Sequence, residues 1–126
     1  PGGSLGRKLL TRVSDVMHSP APIVGPNTSF HDCLLVMTQS RMGLTVVMDK
    51  DVLVGIVTDG DLRRALLQDE GVIHTTVDYF MTRDPHTIQD DSQLSEAEAY
   101  MVDRKIRALA VTNKANTVVG VVEIFD

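Results

Sequence analysis

The stretch GIVTDGDLRRAL, residues 55–66, sets a hydroxyl and two carboxylates where an apolar strand should give way to a helix. Two chemistries use such oxygens. In the first, Thr58 and Asp61 have nearly the spacing of a capping box, whose side-chain oxygens accept from the orphan N–H groups of a helix start. An aspartate in the first turn also suits the helix dipole. In the second, polar groups and a helix start at the carboxyl end of a strand hold a ribose and a phosphate. A third use, Asp59 and Asp61 as paired carboxylates for Mg²⁺ in a phosphatase-like reaction, finds no Lys, Ser or Thr in a matching arrangement elsewhere, so this segment is not expected to be an enzyme. Arg63 and Arg64 follow on the helix, either as a solvated face pairing with Asp59 and Glu70 or as contacts to a phosphate or a second copy.

The remaining reactive side chains point to packing. Cys33 is the sole cysteine in 126 residues and falls on an apolar helical face, so it reads as a small core thiol; no intrachain disulfide is possible, which fits a reducing cytoplasm. His18, His31, His74 and His86 share no metal-like spacing with carboxylates or the thiol, and no metal site is expected. A net charge of −5, an aromatic fraction of 4% and no tryptophan leave neither a basic surface nor stacking platforms for nucleic acid. No apolar run approaches the roughly eighteen residues of a membrane span, and the opening PGGSLGRKLL has no apolar signal core. That opening reads as a linker over residues 1–12.

The elements that must position Thr58 and Asp61 occur twice. At a shift of 64 positions VSDVM (13–17) faces VDYFM (77–81), Met37 faces Met101, and RMGLTVVM (41–48) faces KIRALAVT (105–112). One extra residue in the second turn then moves the shift to 65, so that VGIV (54–57) faces VGVV (119–122) and Asp61 faces Asp126. This is internal duplication, with repeats at 13–76 and 77–126. Each copy should hold a short turn ending at Met17 or Met81, an extended stretch, and a helix capped by Thr28 or Ser92. The buried stripe of that helix is Phe30, Cys33, Leu34 and Met37 in one copy and Leu94, Ala97 and Met101 in the other. A β-hairpin follows in each copy. In the first copy another helix runs from about Asp61 to Leu67; the second copy stops where its counterpart should begin. The repeat-matched methionines sit at apolar positions and read as core.

The duplicated hairpin-and-helix unit, with its Gly-apolar-x-Thr-x-x-Asp strand exit, resembles the CBS domain pair, or Bateman module, over residues 13–126. The resemblance implies an α+β fold of tandem repeats with pseudo-twofold symmetry, each a small sheet packed with helices, and association of two modules through their helices. It also implies a nucleotide site. Ile56 and Val57 would flank the base, Thr58 would bond a phosphate and Asp61 would accept from ribose hydroxyls. His86, Thr87 and Ile88 would present backbone to the base edge, and Arg107 would meet the phosphate. The chemistry is consistent, since a carboxylate suits a diol and arginine forms a charge-assisted fork with phosphate. In the opposite site Glu123 replaces Thr58 and Gly43 replaces Arg107, so the two sites are expected to be unequal.

PGGSLGRKLL, the VSDVMH turn, GLTVV and TDGDLRRAL together are similar to the C-terminal half of the sugar-phosphate isomerases that make D-arabinose 5-phosphate. That likeness implies a regulatory half without the catalytic domain, serving Kdo supply for lipopolysaccharide or capsule in Gram-negative bacteria. Its ligand would be a nucleotide or a nucleotide-sugar such as CMP-Kdo, with no cofactor required. Its partners would be its own isomerase domain and a second copy. The alternative is a structural oligomerisation module with empty sites.

Overall fold

The computed structural model describes residues 10–124. Most of the expected linker, residues 1–9, and Asp126 lie outside the described residues. The chain divides into two units, one continuous (Pro22–Pro85) and one split (Pro1–Ala21 with His86–Asp126). In chain order the split unit contributes α1 (Val13–Val16), and the continuous unit then runs β1 (Ile23–Val24), α2 (Phe30–Ser40), β2 (Leu44–Asp49), β3 (Val52–Thr58), α3 (Asp59–Gln68) and β4 (Thr82–Arg83). The split unit resumes with β5 (Thr87–Gln89), α4 (Leu94–Arg104), β6 (Ala108–Thr112) and β7 (Val118–Glu123). The fold is mixed α+β, with two small sheets.

In the continuous unit β2 and β3 form the hairpin that their apolar, β-branched composition predicts. Lys50 and Asp51 at the turn have φ of 51° and 67°, the left-handed pair that a two-residue connection between right-twisted strands requires. The first four residues of β2 are all buried, as befits a central strand. Its neighbours are β1, parallel, and β3, antiparallel, giving the order β1-β2-β3-β4. Phe30, Cys33 and Met37 from α2, Leu62 from α3, and Val47 and Val57 from the hairpin make the core. Burying each such side chain contributes about 1.5–3 kcal/mol. Leu34, expected on the buried stripe, is 44% exposed. The cap of α2 is Ser29, whose hydroxyl accepts from Asp32 N–H at 3.1 Å, and not Thr28, whose hydroxyl accepts from Gly25 N–H instead. The two hydroxyls are adjacent, and only the one whose backbone is extended at the helix boundary can cap.

The split unit repeats the plan with its own hairpin and core (Val13, Ile88, Ala97, Met101, Leu109, Val122). Its α4 begins after Gln93, one residue past the expected Ser92, with no side-chain cap. The extra residue in its hairpin turn is held by Asn113 Oδ1, which accepts from the N–H groups of Ala115 and Thr117, both at 3.0 Å, while Asn116 takes a φ of 62°. Residues 11 and 12 are tied to this unit through Thr11 O, which accepts from Leu94 N–H at 2.8 Å, and through the Arg12–Gln93 bridge.

Sequence repeats and compact units divide the chain differently. Residues 13–21 open the first repeat but belong to the split unit, where His18 exchanges two backbone hydrogen bonds with Val121 on β7 (2.8 and 2.9 Å). Residues 77–85 open the second repeat but belong to the continuous unit, where β4 pairs with β3 (Gly55↔Arg83, Ile56↔Thr82). Both dockings need a strand glycine. A β-carbon at Gly55 would lie 2.8 Å from both Met81 Sδ and the Thr82 carbonyl; at Gly120 it would lie 2.6 Å from the His18 carbonyl and 3.0 Å from Met17 Sδ.

Candidate functional site

β3 passes into α3 without a loop, so Thr58 is at once the last strand residue and the helix N-cap. The capping box is complete. Thr58 Oγ1 accepts from Asp61 N–H at 3.1 Å, and Asp61 Oδ2 accepts from Thr58 N–H at 2.9 Å. Asp61 also receives Thr82 Oγ1–H at 3.0 Å and Arg64 Nη2–H at 2.9 Å, both on Oδ1. The Thr58 hydroxyl accepts through its lone pair in this cap, which leaves its proton to donate. Of the two residues ahead of it, Ile56 pairs with Val46 and Thr82. Val57 is fully enclosed in the core, opposite Thr45 on β2, and presents no exposed surface to a ligand.

Arg64 therefore pairs with Asp61, three residues back, rather than with Asp59 or Glu70. Thr82 had no sequence signal of its own, since it reaches Asp61 through the pairing of β4 with β3. The i,i+3 spacing of Asp61 and Arg64 was the signal available for the other partner.

The remaining site residues lie in the split unit. His86 immediately precedes β5, and Thr87 and the buried Ile88 are its first two residues. β5 and β6 run parallel with Thr87 opposite Ala110, and Ala108 faces Glu123 on β7. His86, Arg107 and Glu123 thus share one end of this sheet, and the Arg107 carbonyl accepts from Ile124 N–H at 3.0 Å. The His86 ring is fixed by Tyr100: Nδ1 lies 2.7 Å from the phenol oxygen, the rings meet edge to face at 5.6 Å, and the Arg104 guanidinium stacks on Tyr100 at 3.7 Å. Glu123 stands 4.0 Å from His18 Nε2, so the carboxylate that replaces Thr58 has an imidazole beside it. His18 is the repeat counterpart of Thr82, a match that follows from the 64-residue shift.

Cys33 is fully buried, and desolvation pushes its thiol up to about 11. Among the described residues no three His, Cys, Asp or Glu side chains group as metal ligands, and no helix is long and apolar enough to cross a membrane.

Comparison with known proteins fits this geometry. The CBS domain model matches residues 13–68 and again 77–126. A probable arabinose 5-phosphate isomerase of Haemophilus influenzae is 50% identical over 124 residues, covering 98% of this chain. The chain spans only 37% of that relative's length. Among solved structures, the CBS domain pair of protein MJ0100 in complex with 5′-methylthioadenosine and S-adenosyl-L-methionine superposes with a TM-score of 0.81 at 25% identity, covering 90% of this chain and 89% of the other. CBSX2 in complex with AMP gives 0.76 at 26% identity, covering 90% of each. With both of its repeats matched, the chain belongs to the CBS domain family and is a tandem CBS pair.

Proposed function

We propose that this CBS pair is a regulatory nucleotide-binding module of an arabinose 5-phosphate isomerase. The observation that carries the reading is the strand exit at Thr58, where a hydroxyl with a proton to donate and a fixed carboxylate stand together at a helix start. Those groups suit a phosphate and a ribose diol. The adenosyl ligands and AMP held by similar CBS pairs support the ligand class. Half-identity to an isomerase across nearly the whole chain supports the parent activity. His86, Thr87, Ile88 and Arg107 are proposed as further ligand contacts, with Ile56 and Val57 beside the base. The finer reading is a cytoplasmic enzyme of Kdo supply for lipopolysaccharide or capsule, working as a homodimer or higher oligomer. Its own end product, CMP-Kdo, would act as a feedback ligand.

One observation favours a second reading, a structural oligomerisation module: Asp61 already accepts three hydrogen bonds from the chain itself. Calorimetric titration with AMP, ATP, CMP and CMP-Kdo separates the two. Saturable binding that Asp61→Ala weakens supports regulation, whereas no heat from any of the four supports the structural role.

A further inference from the structure

The hydrogen bonds on Asp61 can be counted against its capacity. A carboxylate offers about four lone-pair sites, two per oxygen. Arg64 and Thr82 use both on Oδ1, and Thr58 N–H uses one on Oδ2. A ribose diol brings two O–H donors to the single site left, so one present donor must leave. Thr58 N–H belongs to the helix cap, and the Thr82 backbone is held by the pairing of β4 with β3, which keeps its hydroxyl within reach of Oδ1. Arg64 is the donor that can go, because 66% of its side chain is exposed, against 11% for Asp61, so water can take over the guanidinium while the carboxylate stays in place.

A second observation concerns how Arg64 gets there. A β-carbon at Gly60 would stand 3.0 Å from Arg64 Nη1 and 3.3 Å from Nη2, so the guanidinium folds back across a residue with no side chain. Arg64 and Asp61 border a groove of about 370 Å³ shared with Gln68, Asp69 and Tyr79. A displaced guanidinium therefore has space and another carboxylate to turn to.

We infer that Arg64 is an internal competitor for the diol-accepting carboxylate, a latch that holds Oδ1 of Asp61 against a ribose and so sets the affinity of the site. The inference rests on the nucleotide reading of Thr58 and Asp61 given above. It runs against simple electrostatics, in which removing a cation near a nucleotide site weakens binding.

The test is calorimetric titration of the intact chain and two variants with AMP, CMP and their 2′,3′-dideoxy counterparts. Arg64→Met keeps the stem and removes the donors; Gly60→Ala keeps the cation and forces it to shift by a few tenths of an ångström against Asp61. Arg64→Met should bind the ribonucleotide about two- to fivefold more tightly, the equilibrium worth of an ion pair whose cation faces solvent. Gly60→Ala should move the same way by less, and the dideoxy compounds should gain nothing. Binding detected only in the variants also supports the latch. If wild type binds and Arg64→Met binds equally or more weakly, the latch is overturned and the nucleotide reading stands. Equal gains for the dideoxy compounds overturn it too, since the effect would not pass through the diol. If no nucleotide binds any of the three proteins, the nucleotide reading falls and takes the latch with it.

Discussion

Asp61→Ala removes three hydrogen bonds while sparing half of the cap, because the N–H of residue 61 still reaches Thr58 Oγ1. A hydrogen bond to a charged group contributes about 1.5–3 kcal/mol net, and the bonds from Thr58 and Thr82 share one carboxylate, so their losses do not simply add. The Arg64 pair, whose cation is largely exposed although the carboxylate is not, adds about 1 kcal/mol. Alanine's better helix propensity returns about 0.5 kcal/mol. The expected net loss is about 2–4 kcal/mol, more than the roughly 1 kcal/mol of an ordinary cap. In urea, with a slope of about 1–3 kcal/mol/M, the transition of the continuous unit should fall by about 1–2 M. Followed by circular dichroism, a shift worth less than about 1 kcal/mol would mean that the carboxylate does not hold these partners in solution. The same variant should lose about 1–3 kcal/mol of nucleotide affinity, as expected for a charged hydrogen bond.

Gly120→Ala should destabilise by about 1–3 kcal/mol in the same assay, since the new methyl group would force the His18 carbonyl off β7 and break the two bonds to Val121; a stability equal to wild type would refute the close approach. Cys33 keeps its proton in the fold up to about pH 11 and loses it near pH 9 when unfolded, so between those values the unfolded chain binds fewer protons. Stability should therefore fall by up to about 2–3 kcal/mol from pH 9 to 11, and Cys33→Ala should remove that part of the slope; identical pH profiles for the two proteins would refute it. Arg107→Ala should abolish most of the nucleotide affinity, and Glu123→Thr should strengthen binding at the second site if the carboxylate repels phosphate there. A titration showing two equal sites in the wild type would contradict that asymmetry.

The duplication, both hairpins and the capping box were legible because each depends on neighbours a few residues apart or on a fixed repeat shift. The helix cap moved from Thr28 to Ser29 because hydroxyls of equal chemistry adjoin, and backbone angle decides between them. The bond from Thr82 to Asp61 was not legible, because it depends on which strand edge the segment after Met81 chooses. Repeat alignment shows that residues 13–21 and 77–85 are alike; it is silent on which hairpin each one docks against. The neighbour of Glu123 was hidden for the same reason, since His18 reaches it only through the bridge to Val121.

That docking pattern orders the way the chain can assemble. The continuous unit of residues 22–85 is an insertion within the split one, and its ends leave on the two outer strands of a four-stranded sheet. Three strand spacings separate those ends, about 14 Å. As a flexible coil the same 64 residues would span about 45 Å, and closing such a loop costs about 3.7 kcal/mol beyond a constant. Once the inner unit folds, that closure is already made for the outer one. Residues 10–21 precede the continuous unit in the chain but find β7 only once residues 118–123 have been made, so a segment synthesised ahead of that unit takes its place after it.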